Sequence, residues 1–121
     1  MTDDQIKALA AKDGVMGITF VPGFLDNDAA KVPNIVDRFV DHICYVADLV
    51  GVDYVGIGSD FDGGMKKPVI SDVSQFVQIT RGMMARGISE EEIRKILGGN
   101  FLRVMKKTID LKKQPSTSRS V

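Results

Sequence analysis

The sequence predicts an α/β fold built on one right-handed parallel βαβ unit, and three features of its 121 residues carry that prediction. Two runs, 15–21 and 54–59, are nearly all apolar, as strands covered on both faces must be. Between them, residues 34–50 show the clearest helical period in the chain. The second run then spills Asp60 and Asp62 into a loop that continues through Gly63 and Gly64. Carboxylates at the C-terminal ends of parallel strands are where α/β enzymes keep their chemistry.

Composition narrows the function classes. With 44% hydrophobic residues the chain can bury one modest core, so a single domain is the ceiling. Sixteen basic residues balance sixteen acidic ones, which removes the electrostatic case for a general nucleic-acid or anionic-membrane binder. The lone Cys44 has no partner for an internal disulfide and reads as a small buried hydrophobe. No basic-then-apolar leader and no long apolar run is present, so the expected setting is the reducing cytoplasm.

Taken in order, Thr2 and Gln5 form a capping box whose helix carries Ile6, Leu9 and Ala10 on one face and ends near Asp13 and Gly14. The first strand follows and is stopped by Pro22 and Gly23, with Phe24 and Leu25 expected in a loop. Pro33 suits the first turn of the next helix, whose stripe is Val36, Phe39, Val40, Ile43, Ala47 and Val50. After the second strand, Lys66, Lys67 and Pro68 read as a linker. Ser71 and Asp72 then open a helix with Phe76, Val77, Thr80, Met83 and Met84 toward the core and Gly87 as its stop. Ser89 and Glu92 form a second capping box, opening a short helix with Ile93, Ile96 and Leu97 buried. Gly98 and Gly99 close it, and Asn100 is expected to cap a last helix with Phe101, Leu102, Met105 and Ile109 as its apolar face. From Lys112 to the end, apolar content is too low to offset the entropy of ordering, which predicts a flexible tail over 112–121.

Two strands make a poor sheet with both edges open. The sequence therefore reads as the end of a larger α/β protein, or as a chain whose neighbouring copies complete the sheet in a homo-oligomer.

Several stretches in this order resemble the membrane (renal) dipeptidases, peptidase family M19: Gly14 to Phe20, Asp41-His42-Ile43, the run from Val55 through Ser59-Asp60-Phe61-Asp62-Gly63, and Leu97 to Val104. The resemblance covers about residues 2–104 and only the family's C-terminal third. It implies the last two parallel strands and closing helices of a metal-dependent-hydrolase (β/α)8 TIM barrel, with residues 1–111 as the barrel part. It also implies hydrolysis of dipeptides with two zinc ions bridged by a carboxylate. The family's His-x-Asp pair, bridging glutamate, two further histidines and substrate-carboxylate arginine have no match here, so no metal ligand is assigned in this chain and the chain alone is expected to be inactive.

By position Asp60 matches the family's acid/base aspartate. A carboxylate beside an activated water can take its proton and hand it to the leaving amine. Asp62 is read as supporting or structural, with Gly63 and Gly64 making a tight turn that aims the Asp60 carboxylate. Phe24 falls where relatives often carry an aromatic near substrate; it is either a substrate contact, without the hydrogen bond a tyrosine would give, or core or loop packing. His42 matches no family ligand and has Val46 rather than a second ligand at i+4, so a helix histidine satisfied by water or a carbonyl is expected.

Other readings of the same residues stay open at this level. Asp60 and Asp62 also look like the nucleophile and acid/base pair of haloacid-dehalogenase-type phosphatases, although Gly64 stands where that motif has Thr. A calcium loop starting at Asp60 would place Ser71 at its twelfth position, where a bidentate acid is needed. A non-catalytic remnant or an oligomerising, binding module is the remaining alternative.

Overall fold

The structure, a computed structural model, describes residues 1–64 and 67–113. Helix α1 (Asp3–Ala11) begins as its capping box dictates: the Thr2 hydroxyl accepts from the Gln5 amide at 3.2 Å, and the Gln5 side chain accepts from the Thr2 amide at 2.8 Å. Asp13, left-handed at φ 60°, then turns the chain into strand β1 (Met16–Thr19).

Strand β2 (Val55–Ser59) pairs parallel with β1 in the register Met16↔Val55, Gly17↔Gly56 and Ile18↔Ile57, with an irregularity before Thr19↔Ser59. Side chains alternate between the two faces. One face, carrying Ile18, Phe20 and Val55, packs into the core against helix α3 (Ile35–Val50), which contributes Phe39, Val40, Ile43 and Val46. The other face carries glycines. A Cβ at Gly56 would lie 2.6 Å from Phe101 Cε2, and one at Gly17 would lie 3.0 Å from Gly58 Cα. Only residues without side chains allow that close an approach.

Between β1 and α3 lies a one-turn helix, α2 (Pro22–Leu25), where the sequence predicts loop. Pro22 ends the strand, and its fixed φ also suits the first position of a helix. Asn34 caps α3, accepting from the Val36 amide at 3.1 Å and the Asp37 amide at 3.4 Å, so Pro33 sits just before the cap rather than in the first turn. The buried seam of α3 includes Val46, whereas the predicted stripe placed Ala47 and Val50 there.

Helix α4 (Phe76–Ala85) is entered through a 3₁₀ turn, Val73–Gln75, with Asp72 accepting from the Ser74 amide at 2.8 Å. Its buried residues are Ile79 and Met83; Val77 and Met84, predicted as core, face outward. Gly82 sits mid-helix because a Cβ there would come within 2.9 Å of Val40 Cγ2 on α3. Gly87 stops the helical segment at φ 79°, as expected.

Ser89 and Glu92 cap α5 (Glu90–Arg94) reciprocally. The helix does not close at the Gly98–Gly99 pair. It continues through a π-helical turn, Lys95–Gly99, into α6 (Asn100–Lys113), and Asn100 itself has helical φ and ψ of −67° and −43°. Asn100 is therefore no cap. Its side chain is 1% exposed and donates to the Val52 and Val55 carbonyls at 2.6 and 2.8 Å, satisfying backbone acceptors at the start of β2. One turn on, Arg103 donates to the Asp53 carbonyl at 2.8 Å and lies 5.7 Å over the Tyr54 ring, while Lys107 reaches Asp13 at 2.7 Å.

These bonds pin α6 across the N-terminal ends of both strands. The predicted apolar face of α6 is present, but Leu102, Met105 and Ile109 are 60, 55 and 47% exposed, and Leu97, expected to be buried, is 37% exposed. The helix includes Lys112 and Lys113, two residues that the sequence assigns to the tail. The rest of that tail, 114–121, and Lys66 of the expected linker lie outside the described residues.

Candidate active site

The C-terminal ends of β1 and β2 form one rim. The Phe20 amide donates to the Ser59 carbonyl at 2.9 Å, and the Phe20 carbonyl accepts from the Val69 amide at 3.0 Å, so the chain leaving β2 loops out and returns beside the end of β1. Phe61 anchors that loop from inside. Its ring lies 5.2 Å from Phe20 and 6.5 Å from Phe76, and Phe20 in turn stacks 5.0 Å from Phe39. Aromatic packing of this kind adds to area burial. With Phe61 held inward, Asp60 and Asp62 on either side of it are left exposed.

The backbone here is forced into an uncommon conformation. Ser59, Asp60 and Asp62 have φ of 39°, 66° and 64°, and the Asp60 amide bonds back to the Gly58 carbonyl at 2.6 Å. Non-glycine residues in that region cost free energy and persist only where the surroundings fix them. The aromatic anchor and the Val69 return supply that fixation. An open cleft of about 660 Å³ beside the loop is lined by Phe61, Asp62, Gly64, Pro68 and Val73 among others.

Phe24 stands on the same rim, at the end of β1, on α2. It is 74% exposed, which excludes the core-packing alternative. It borders a different opening, a groove of about 470 Å³ along the free edge of β1 that Met16, Ile18 and Tyr45 also line. Phe24 and Asp60 thus share a rim, but the cleft beside the loop is lined by Asp62 and not by Asp60, and Phe24 borders the other opening. His42 fixes the turn that carries Phe24: its Nε2 donates to the Leu25 carbonyl at 2.8 Å, the carbonyl partner expected of a helix histidine. Arg38 adds an ion pair to Asp26 at 3.0 Å.

Cys44 is half-buried, and burial pushes its thiol up from the ordinary value. Among the described residues, no three His, Cys, Asp or Glu side chains converge. The donor set present does not fit a metal ion. No helix among the described residues is long and apolar enough to cross a membrane.

Sequence reasoning passed over Phe61 and the strut role of His42. The spacing Asp-Phe-Asp held the first signal, since an apolar residue between two acids in a loop needs somewhere to go.

A parallel βαβ unit with an apolar helix on one face, glycines on the other and a carboxylate loop at the strands' C-terminal rim is the repeating unit of which parallel α/β barrels are built. The comparisons specify which. The sequence pattern of the membrane dipeptidases, peptidase family M19, matches residues 1–119, and the chain belongs to that family. It is 41% identical over 112 residues to the dipeptidase ataJ of Aspergillus terreus, covering 92% of this chain and 27% of that protein. It is 36% identical to the dipeptidase tcpJ of Claviceps purpurea, over 90% of this chain and 25% of the relative.

Among solved structures, the dipeptidase AC, a metallo peptidase of family M19, matches with a TM-score of 0.73 and 31% identity over 84% of this chain and 29% of its own. A metallo peptidase from Rhodobacter sphaeroides, liganded with a phosphinate mimic of the dipeptide L-Ala-D-Ala, matches with a TM-score of 0.76 and 29% identity over 88% of this chain and 30% of its own. The fold expected from the sequence, a two-stranded α/β piece of the M19 barrel, is the one found. This chain spans about a quarter of the length of the curated relatives it matches.

Proposed function

We propose that this chain supplies the carboxylate-bearing rim of a zinc-dependent dipeptidase, with Asp60 as its acid/base. The observation that carries this reading is the placement of Asp60: exposed at the C-terminal end of β2, on a strained loop that Phe61 anchors into the core. In the assembled enzyme Asp60 takes the proton from the attacking water as its oxygen bonds to the scissile carbonyl carbon. It then delivers that proton to the amine nitrogen as the C–N bond breaks. Phe24 would offer an apolar contact to a substrate side chain. Zinc would be held by side chains that this chain does not contain, and we place the protein in the cytoplasm because its one cysteine suits a reducing compartment.

Membership of the dipeptidase family gives no support to the phosphatase reading of Asp60 and Asp62. The second reading we retain is association between copies, favoured by the uncovered apolar face of α6 and by the two open edges of the sheet.

The deciding experiment replaces the matching segment of the Aspergillus terreus dipeptidase with this chain and assays dipeptide hydrolysis with zinc added. Hydrolysis is expected in the chimaera, Asp60→Asn should lower kcat by roughly 10²- to 10⁴-fold, and the 121-residue chain alone should turn over nothing. A chimaera indifferent to Asp60→Asn, or turnover by the isolated chain, would overturn the proposal.

A further inference from the structure

We propose that Gly63 is the positioning residue of this rim: by carrying no side chain, it leaves the space in which the Asp60 carboxylate lies. The inference rests on the acid/base role proposed for Asp60 and assigns the residue that leaves its carboxylate room.

Two neighbouring glycines in the loop are glycine for different reasons. Gly64 has φ 86°, and among the described residues nothing lies within 4 Å of where its Cβ would be, so its conformation accounts for it. Gly63 is the reverse. Its φ is not left-handed, and backbone freedom is no reason for a glycine there. A Cβ at Gly63, however, would lie 2.8 Å from Asp60 Oδ1, 3.1 Å from Asp60 Cγ and 3.0 Å from the Asp60 carbonyl oxygen. The first of these is closer than real Cβ atoms come and the other two are tighter than most, so any substitution must move something.

The geometry also says what moves. The Asp60 carbonyl accepts from the Gly63 amide at 3.2 Å, and the Asp60 amide is bonded to the Gly58 carbonyl, so the Asp60 backbone is held on both sides. Its carboxylate, by contrast, makes no hydrogen bond or ion pair among the described residues. A methyl group at position 63 therefore displaces the carboxylate before it displaces the turn. Position is what a general base needs, because a displacement of about 1 Å can cost roughly 10²-fold in rate.

In the chimaera, Gly63→Ala is expected to lower kcat by roughly 10- to 100-fold while KM stays within about threefold. Helix content and melting temperature should hold. Gly98→Ala is the control, because a Cβ there meets nothing within 4 Å among the described residues and the backbone is not left-handed; it should leave kcat unchanged. If Asp60→Asn abolishes activity and Gly63→Ala does not, the positioning role is wrong and the acid/base reading stands. If Asp60→Asn is silent, the acid/base reading fails, and a second measurement still decides the placement. In the 121-residue chain, the ¹³Cγ resonance of Asp60 should move on Gly63→Ala but not on Gly98→Ala. An unmoved resonance overturns the inference, as do shifts of equal size throughout the β1 and β2 amides or a lost fold in either protein.

Discussion

The two faces of the strand pair are finished to different degrees. On the α3 side, Phe20, Phe39, Val40, Ile43 and Val55 are fully buried, and α4 closes over them through the tight contact at Gly82. On the other side the strands present glycines, Phe101 lies across them, and the rest of the apolar face of α6, Leu102, Met105 and Ile109, stays about half exposed among the described residues. The first face is a core that local chain can complete. The second is left partly open among the described residues, and it leads to the rim where Asp60 sits. Sidedness of this kind is what a slice of a closed barrel should show, since each strand there has one helix-covered face and one facing inward.

The contrast is sharpened first by the core. Phe39→Ala removes a fully buried ring from the aromatic cluster, and an aromatic truncation in a packed core costs about 3–5 kcal/mol. For a chain this small, most of its cooperative structure should go. Urea unfolding followed by circular dichroism is the check, and a midpoint near that of the unsubstituted chain would show that the α3 face is no true core.

Next in size is Asn100. It donates to two carbonyls at the start of β2 from a buried position, so Asn100→Ala strands both acceptors and should cost about 1–3 kcal/mol. Asn100→Asp should do no better, because a carboxylate has no N–H to donate. Equal stability of the asparagine and aspartate forms would mean that the two carbonyls are not what the residue serves.

How much of this was legible depends on how local each cause is. Both capping boxes, the α3 seam around Phe39, Val40 and Ile43, and the apolar strands were readable because each is fixed by residues a few positions apart. So was His42 as a helix histidine satisfied by water or a carbonyl rather than a metal ligand, although which carbonyl was not legible. Asn100 was misread because Gly-Gly-Asn looks like a helix start, and only the distant Val52 and Val55 carbonyls make it a core residue. Met84, Val77 and the α6 face were misread for one shared reason: a hydrophobic period reports which side of a helix is apolar, not whether anything covers it. The exposed rim position of Asp60 was legible from its strand and loop context, and Gly63 and Gly64 from the turn they make; the close approach of a Cβ at Gly63 to the Asp60 carboxylate was not, since it exists only in three dimensions.

The open face offers a gentler test. Leu102→Lys with Ile109→Lys places charge on two exposed positions of α6, where substitutions change stability by only about 0.5 kcal/mol. If that face drives association, sedimentation velocity should show the unsubstituted chain self-associating and the double variant shifted toward monomer, with helix content retained. Loss of helix content instead would place those side chains in a packed interface within the chain, and the two faces would no longer differ.

The smallest effect lies at the seam between the faces, where Lys107 and Arg103 on α6 meet Asp13 before β1. The hydrogen bond from Lys107 holds the Asp13 carboxyl below the ordinary value of 3.8. A folded-state pKa lower than the unfolded one means that the contribution is present above about pH 4 and is lost as pH falls through the folded value. Asp13→Asn keeps the left-handed turn accessible, since asparagine tolerates φ near 60°, and removes only the charge. Melting temperatures of the two forms should therefore differ slightly at neutral pH and converge in acid, and added salt should narrow the gap because the pair is exposed to solvent. A gap that persists at low pH would assign the role of Asp13 to its backbone turn, and the attachment of α6 to this corner would then rest on Asn100 and Arg103.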